Sequence, residues 1–487
     1  MSPEEVARIH QFREGFTLVD YAEVGLPVFR LTIEAVTTSH RQIPTIQEFV
    51  LRSLALGIHH EDEIARMLGL KLDVVQAAIN MLVSDSFVVR QAMPPDRESF
   101  RLTDAGLAKL EQEQIEELKD EMLVIDYDGI RRLPIRLAGM SVLRASELRS
   151  IGAIEIRPYP ADAPPITELA IPDVTRVIRR HSGEDFRRTV LALKRIVRRN
   201  NVYREAVALV FAADHGSEVQ IAFAIDGKLS DLHERAFAEH GGPKKMGFVK
   251  ALAEGDARRR IDKIAGKDLV RSSPPNEALT EARREEQGAQ IAIRSLRPAA
   301  HGAGRRAPAS VALRNAEERL EIALHALQSM PVRSLVCYEQ DELLEEAMKS
   351  AQRSLVITSA GIQPHTVNGY FLRALDKLIK GGVEIRVETL LTPSNEPRSG
   401  DRYDPLTELS RRAARKQLAL EKAPRRELYF LFQDDDLAVI SNRPFLGEFS
   451  RRTGFLRLEG LVARRPEYVR SIRDAWVAST AVARRRV

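Results

Sequence analysis

The sequence predicts a multidomain protein of the α/β class, and three features support this prediction. The chain has 487 residues, more than one hydrophobic core usually organises, and typical domain sizes indicate about three domains. Helix-like and strand-like segments alternate from residue 313 onward, as in α/β domains. Residues 44–110 instead read as helices followed by two short strands. We therefore expect an N-terminal extension over 1–43, a helical module over 44–118, a central α+β domain over 119–267, a flexible basic linker over 268–312 and an α/β domain over 313–487.

The composition is typical of a soluble globular protein, with 44% hydrophobic and 29% charged residues. No stretch is long and apolar enough for a membrane span, and the acidic start MSPEEVARIH is unlike a secretory signal. We therefore expect a cytoplasmic protein without a membrane partner. The single cysteine, Cys337, excludes an internal disulfide and a cysteine-rich zinc site, and its apolar neighbours predict that it is buried and inert.

The charge is mildly basic, with 74 Lys and Arg residues against 69 Asp and Glu residues and a net charge of +5. A balance of this size does not by itself indicate a nucleic-acid partner. The distribution is more informative, because arginines recur in clusters that either contact phosphate or form solvated helix faces. These clusters are Arg179-Arg180, Arg187-Arg188, Arg198-Arg199, Arg258 to Arg260, Arg305-Arg306 and Arg484 to Arg486.

The N-terminal elements follow from hydrophobic spacing. LPVFRLTIEAV alternates as a strand does, and TIQEFVLRSLALGI has helical spacing with Thr45 as its N-cap. HEDEIARMLGL and KLDVVQAAINMLVSDSFVV predict two helices hinged at Gly69. Two strands over 87–91 and 99–102, joined by a turn at residues 94–96, and a helix starting near Thr103 complete the module. His59 and His60 precede an acidic run but lack further ligands at useful spacing, so we predict a helix-start cap there and no metal or cofactor.

This order of elements resembles the winged helix-turn-helix family over residues 44–110. The resemblance implies double-stranded DNA as the partner, with the helix over 72–85 in the major groove. Asp73 and Asp85 would oppose a polyanion, so a purely protein-docking or dimerisation role remains the alternative. Gln and Asn side chains pair with adenine edges, and arginines on the two strands would meet phosphates. The implied DNA-binding residues of the module are Lys71, Gln76, Asn80, Arg90, Arg97 and Arg101.

The central region predicts a basic helix and a hairpin. Residues 172–200 have the spacing of a basic helix or helix pair, on which Arg187, Lys194 and Arg198 share one face and would add phosphate contacts. YREAVALVFAADHGSEVQIAFAIDG alternates on both sides of a turn and predicts a hairpin with one buried face. Residues 120–170 are turn-rich and give no assignment. The connector over 268–312 is rich in Gly, Ala, Pro and Arg, so we expect no core in it.

From residue 313 the sequence predicts a helix over 313–328 and then alternating elements. DELLEEAMKSAQ and YFLRALDKLIKGG have amphipathic helical spacing, whereas RSLVITSAG and VEIRVETLL are strand-like. ELYFLFQDDDLAVIS predicts a hairpin turning at Asp434 to Asp436, and PEYVRSIRDAWVAST a final helix.

These marks resemble the phospholipase D superfamily from about residue 332 to residue 480. In active members one strand carries a His that attacks phosphorus and, two residues later, a Lys that binds phosphate oxygens. Aligning DDDLAVIS with the family places Glu427 and Tyr429 at those positions, and neither side chain performs that chemistry. His365 lies in the loop after the first strand, where the family's fold usually lines its cleft, and we expect a structural or loop-surface role for it rather than catalysis. The resemblance implies a site that corresponds to the active-site cleft of the family. One interpretation is that this site is a phosphate-binding surface formed by Arg425, Arg426, Arg443 and Arg451.

Together these features predict a non-catalytic DNA-binding protein whose C-terminal domain dimerises or binds a protein partner or phosphate. Two contexts fit this prediction: a transcription regulator, and an accessory subunit of a bacterial DNA-processing or anti-phage defence system. An active phosphodiesterase or nuclease with relocated catalytic residues is one alternative. A protein-interaction scaffold without DNA affinity is the other.

Overall fold

The computed structural model describes residues 1–42, 44–93, 97–112, 114–137, 142–181, 188–247, 249, 257–267, 269, 276–301, 307–391, 403–423, 427–447 and 455–484. These residues form a multidomain α/β protein with 16 helices and mixed sheets. They divide into two compact units. The terminal unit comprises Met1–Leu26, Ser146–Ile156 and Glu205–Val487, and the inserted unit comprises Pro27–Ala145 and Arg157–Arg204.

The helices of the described chain are α1 (Pro3–Ile9), α2 (Thr45–Ala55), α3 (Glu61–Leu68), α4 (Leu72–Ser84), α5 (Asp104–Gln112), α6 (Ala145–Ser150), α7 (Ile171–His181), α8 (Asp231–Glu239), α9 (Gly242–Lys245), α10 (Ala257–Ala265), α11 (Asn276–Ala300), α12 (Pro308–Ser329), α13 (Gln340–Ser350), α14 (Gly369–Lys380), α15 (Pro405–Ala414) and α16 (Pro466–Arg484). Local sequence fixes several of their starts. In α1, Ser2 and Glu5 form a reciprocal capping box, and Pro3 occupies the first turn, where its missing N–H has no cost.

The strands are β1 (Phe12–Arg13), β2 (Phe16–Gln42), β3 (Val88–Met93), β4 (Arg97–Leu102), β5 (Gln114–Asp128), β6 (Leu133–Ile135), β7 (Val142–Leu143), β8 (Ile154–Glu155), β9 (Arg188–Ala213), β10 (Val219–Ile225), β11 (Lys228–Leu229), β12 (Val332–Ser334), β13 (Ser354–Ser359), β14 (Glu384–Thr389), β15 (Ala419–Lys422), β16 (Tyr429–Gln433), β17 (Leu437–Ser441) and β18 (Gly460–Ala463). Strands β2 and β9 are long enough to contribute residues to both units.

A seven-stranded sheet organises the C-terminal part of the terminal unit, in the order β12-β18-β17-β16-β13-β14-β15. Its β13-β14 and β14-β15 pairs are parallel and its other pairs antiparallel. Alternate residues of β16 enter different cores: Tyr429 and Leu431 pack with α13 and α14, whereas Phe430 and Phe432 pack with α10 and α16. Because successive strand residues point to opposite faces, helices cover both faces of this sheet.

In the rest of the terminal unit, β9 pairs with β10, and the start of β2 pairs with β1 and β8. Leu209 and Phe211 of β9 are buried in the same core as α13 and α14. On β10, Phe223 meets Phe237 of α8 edge to face, with ring centroids 5.2 Å apart. The hairpin predicted from the alternating pattern around residues 214–217 is therefore confirmed.

A long pairing of two strands within a larger sheet organises the inserted unit, and β6 pairs with the other side of β5. Strands β2 and β5 pair antiparallel from Val28↔Asp128 to Gln42↔Gln114. The odd-numbered residues of β2 from Phe29 to Ala35 are buried with Leu123, Ile125 and Tyr127 of β5. This apolar face packs against α7, as the period of two requires.

Helices α2 to α5 and the β3-β4 hairpin form a separate small core within the inserted unit, which we call the helical module. Its centre is made by Val50 and Leu54 of α2, Ile64 of α3, Ile79 of α4 and Phe100 of β4, all nearly inaccessible to solvent. The module lies in sequence between the paired strands β2 and β5, so the chain enters and leaves it at one end of the ladder.

The predicted elements of the helical module and of the C-terminal α/β region are confirmed as helices and strands, with bounds shifted by a few residues. Thr45, however, is the first helical residue of α2, and the N-cap is Pro44, which makes no side-chain cap. His60 occupies the N-cap position of α3 without a side-chain cap hydrogen bond. The turn predicted at residues 94–96 lies outside the described residues.

Two sequence-based expectations are wrong. The basic helix predicted over 172–200 ends at His181, and Lys194 and Arg198 lie on strand β9 instead, because β9 gains its hydrogen bonds from distant strands. The predicted flexible linker over 268–312 contains α11 and the start of α12, and the packing of these two helices buries Ala289, Ile293 and Ala316. Small alanine side chains let two helices pack closely, so a low content of large apolar residues does not exclude a core there.

Among the described helices, none is by itself long and apolar enough to cross a bilayer, although α3 and α4 together, with a 120° bend between them, meet the length and composition criteria.

Candidate functional site

Helices α3 and α4 are joined by a three-residue turn. Gly69 ends α3 in the left-handed conformation, with φ 65°, and the Leu70 amide donates to the Ala65 carbonyl at 3.0 Å. Glycine suits this position because a side chain at positive φ is strained. Across the turn the chain direction bends by 120°. The geometry sets α4 across α3 with one face buried and the other turned outward.

The buried face of α4 carries Val75, Ala78, Ile79 and Leu82. The spacing of three and four residues puts these side chains on one side of the helix. The predicted DNA-contacting residues occupy the rest of the surface. Lys71 at the N-cap and Asn80 are exposed, as is the opposing Asp73, and Gln76 is half-buried.

The two amide side chains of α4 are held by neighbouring elements. Gln76 donates from Nε2 to Oε1 of Glu61 at 2.7 Å, and Arg90 of β3 donates to Oδ1 of Asn80. The Arg90 guanidinium also lies 5.9 Å from the centre of the Phe100 ring. The structure therefore brings α4 and the β3-β4 hairpin together, as a DNA-reading surface built from both would require.

The surface of the helical module carries both signs of charge. Arg101 is exposed on β4, and Arg97 lies on the same strand with a side chain outside the described residues. Glu61, Asp62 and Glu63 occupy the first turn of α3, where a helix N-terminus favours negative charge. The charge balance predicts modest attraction to a polyanion.

The basic residues of β9 are engaged by the neighbouring strands. Lys194 contacts Oδ1 of Asp120 at 2.7 Å, and Arg195 donates from Nε to Oε2 of Glu34 at 2.7 Å. Arg198 is exposed on the same strand, and Arg187 lies outside the described residues. A phosphate contact at Lys194 would compete with its ion pair.

Glu427 and Tyr429, which the phospholipase D resemblance aligns with the family's catalytic residues, lie just before β16 and at its first position. Tyr429 is buried on β16 opposite Ser441 of β17, and Glu427 is exposed and contacts Arg260. A buried phenol and a carboxylate supply neither a nucleophilic imidazole nor a cationic phosphate ligand.

A cavity of about 1200 Å³ lies in the terminal unit beside the end of β17, and Arg443 lines it. The Arg443 side chain donates to Oδ1 of Asp20 at 2.5 Å, and this ion pair together with neighbouring charges raises the pKa of Arg443 despite its burial. Its charge is thus already balanced within the chain. Arg425, Arg426 and Arg451, the other predicted phosphate ligands, lie outside the described residues.

His365 is exposed at the rim of this cavity, which Asp341 and Glu4 also line. Loss of solvation beside the cavity wall and the nearby Glu4 charge raise the pKa of Asp341, although the residue is still exposed to solvent. Sequence reasoning missed Glu4, Asp20 and Asp341, because distant parts of the chain assemble this cavity: Asp20, for example, pairs with Arg443, 423 positions away. The capping box at Ser2 and Glu5 is a local signal that fixes the start of α1, on which Glu4 lies.

Cys337 also borders the cavity, and it is buried as the sequence predicts. Burial and the Asp20 carboxylate raise the pKa of the thiol far above its usual range. The side chain is therefore a neutral thiol at physiological pH, which is a poor nucleophile.

No protein-family model matches the sequence, and no curated protein matches it. Two solved structures show weak likeness. One is TrmBL2, an archaeal chromatin protein described with a novel mode of DNA binding: 15% identity, a TM-score of 0.21, and coverage of 34% of this chain and 59% of that one. The other is a phosphatidylserine synthase of Haemophilus influenzae Rd KW20: 13% identity, a TM-score of 0.20, and coverage of 35% of this chain and 46% of that one. The chain thus spans about half the length of these structures, and TM-scores this low do not establish a shared fold.

Proposed function

We propose that this chain binds double-stranded DNA through its helical module, with α4 in the major groove and the β3-β4 hairpin beside it as a wing. The observation that carries the proposal is the α3-α4 pair. Two helices joined by a three-residue turn, with Gly69 left-handed and a bend of 120°, have the geometry by which helix-turn-helix proteins present their second helix to DNA.

The side chains on this surface also suit DNA. Lys71, Arg90 and Arg101 are exposed around α4 and the hairpin, and the amides of Gln76 and Asn80 lie on α4 itself. The acidic residues of α3 and Asp73 reduce the attraction, so we expect moderate affinity that depends strongly on salt.

The proposal is tested by fluorescence anisotropy of the full chain with a labelled duplex at several salt concentrations. Each phosphate contact contributes about −0.9 to the slope of log affinity against log salt, so Arg101→Ala should weaken binding on every duplex and make the slope shallower by about one. Lys377→Ala, which removes an exposed cation from α14 in the terminal unit, is the matched control and should leave both unchanged. Binding that is absent or independent of salt would instead favour a protein-interaction scaffold.

We infer that the C-terminal α/β region serves binding rather than phosphodiester cleavage. The inference rests on Glu427 and Tyr429, which offer no nucleophile and no phosphate-binding cation. We propose that this region mediates dimerisation or binds a protein partner or a phosphate group. A nuclease assay in the presence of a metal chelator tests the inference: cleavage by the wild type that disappears in His365→Ala would overturn it.

Both proposed contexts, transcription regulation and service as an accessory subunit of a DNA-processing or defence system, require the same DNA contact. They differ in selectivity. A regulator discriminates its site from other DNA by roughly 10³-fold or more, whereas an accessory subunit that grips DNA needs no such ratio. Competition of the labelled duplex against genomic and random DNA measures that ratio directly.

A further inference from the structure

The cavity of the terminal unit is large enough to hold a small molecule. Its volume of about 1200 Å³ slightly exceeds the usual range of ligand pockets. It is bounded by the start of α1, strand β2, the end of α6, helix α13, the loop after β13 and the segment after β17. These elements come from distant parts of the chain, so the folded unit assembles the cavity.

The ion pair between Arg443 and Asp20 is satisfied without a ligand. Asp20 accepts from the Arg443 side chain at 2.5 Å and from the amides of Tyr21 and Leu456 at 2.9 Å each. With four hydrogen-bond sites on a carboxylate, three of these are used. An anionic ligand would have to displace Asp20 to reach Arg443, and the cost of leaving that carboxylate buried and unpaired disfavours this exchange.

The cavity lining carries an excess of negative charge. Five carboxylates line it against three side chains of Lys and Arg. Lys349 is paired with Glu345 at 2.9 Å, as Arg443 is with Asp20. The lining therefore attracts cations rather than phosphate.

Two carboxylates face this space with little compensation. Glu4 receives only a long hydrogen bond from the Tyr21 hydroxyl, at 3.4 Å, among the contacts of the described residues. Asp341 is exposed, lines the same cavity and makes no hydrogen bond or ion pair with another described residue. Arg443 and His365 attract its charge from a distance, and Arg443 is already paired with Asp20. Like charges that line one cavity disfavour each other's ionised form, and a bound cation reduces that penalty.

Apolar side chains form another part of the lining and suit a hydrocarbon chain. Leu344 and Met348 of α13, Phe371 of α14 and Phe445 form part of the wall. Within the described chain, no group of three or more His, Cys, Asp and Glu side chains is arranged to hold a metal ion. A carboxylate pair beside an apolar wall instead matches an ammonium or guanidinium group carried on an alkyl chain.

We propose that this cavity binds a small aliphatic amine or guanidine, such as a polyamine, with Glu4 and Asp341 receiving the cationic head and the apolar wall receiving the methylene chain. This site is separate from the helical module and does not rest on DNA binding.

Isothermal titration of the full chain, without DNA, tests the proposal. The probes are 1,6-diaminohexane, spermidine and agmatine, with 1,6-hexanediol as a probe of the same length without charge. We expect the cations to bind and the diol to bind at least about tenfold more weakly, since loss of one charge-assisted contact of about 1.4 kcal/mol corresponds to that factor. Equal binding of the diamine and the diol, or preferential binding of inorganic phosphate, would overturn the proposal.

The variants Asp341→Asn and Glu4→Gln remove the two charges one at a time, and each should weaken diamine binding at least about tenfold. Glu318→Gln removes an exposed carboxylate of α12 outside the cavity and is the matched control. Because Asp341→Asn relieves repulsion, we expect it to fold, and its thermal unfolding verifies this. Undiminished diamine affinity in a folded Asp341→Asn protein would refute the site.

Discussion

Buried charge is the feature of this chain that matters most at the scale of single residues. Glu339 is almost wholly buried, accepts from Nη1 of Arg333 at 2.7 Å and from the Val336 amide at 3.2 Å, and lies 3.5 Å from Arg283. The two arginines outweigh the effect of burial and lower the pKa of Glu339 to about 2. The carboxylate is thus the common counterion of two buried cations.

Glu339→Gln should destabilise the terminal unit by about 3–5 kcal/mol, because it leaves buried guanidinium groups without a counterion. Urea unfolding measures the change. Glu345→Gln, which breaks only the exposed pair with Lys349, should cost less than about 1 kcal/mol. Comparable losses for both variants would contradict the assigned role of Glu339.

The low pKa of Glu339 also sets a pH window. A carboxyl of folded pKa about 2 and unfolded pKa near 4.3 contributes its full stability above the unfolded value and loses it as pH falls toward 2. The difference in unfolding free energy between wild type and Glu339→Gln should therefore shrink between pH 4 and pH 2. A difference that stays constant over that window would contradict the ionised pair.

The pKa of Asp341 is shifted in the opposite direction to that of Glu339. Its folded pKa is raised, so the fold holds the proton more tightly and disfavours the ionised form. At neutral pH the charge therefore costs stability, and Asp341→Asn should raise the unfolding temperature. Below about pH 3.9 the carboxyl is protonated in both states, and the two proteins should unfold alike. A lower unfolding temperature of the variant at neutral pH would contradict the repulsion inferred in the cavity.

At the scale of elements, glycine contacts show where packing is tightest. A Cβ atom on Gly106 of α5 would collide with the Phe87 carbonyl oxygen and press on Leu102. Gly106→Ala should therefore destabilise the helical module by about 1–3 kcal/mol, as overpacking does. Gly288→Ala on α11 meets open space and should stabilise by up to about 1 kcal/mol through helix propensity. Thermal unfolding of both variants checks this contrast, and the same sign for both would contradict it.

The elements also show how far sequence reasoning reaches. Helix α4 and the β3-β4 hairpin were predictable because their apolar residues repeat with the local periods of helix and strand. The first half of strand β9, up to residue 200, was not, since Arg195 meets Glu34 of β2, 161 positions away. Helix α11 was missed because it buries Arg283 and Glu286, which hydrophobic patterning assigns to solvent.

At the scale of the whole molecule, the two units have their own hydrophobic cores. Ile33 belongs to a core of the inserted unit and Ile440 to a core of the terminal unit. We expect two calorimetric transitions. Ile33→Ala should lower the unfolding free energy of the inserted unit, and Ile440→Ala that of the terminal unit, each by about 2–5 kcal/mol, as is typical of such truncations. A single transition shifted by both variants would show that the units unfold together.

The sequence predicts a linear series of domains, whereas each unit is assembled from separate stretches. The helical module lies within one continuous stretch, and its helices and strands were predictable for that reason. The cavity depends on Glu4, Asp20, Asp341 and Arg443, and no local period relates residues so far apart.

The β2-β5 ladder has a mechanical consequence for the helical module. Gln42 and Gln114 are paired at its end, so two neighbouring strands connect the helical module to the sheet instead of one. A module attached through two strands rotates less freely than one attached through a single strand, and a torque on it is transmitted to those strands. Force applied to α4 would thus be passed along the paired strands toward Val28 and Asp128 at their far end.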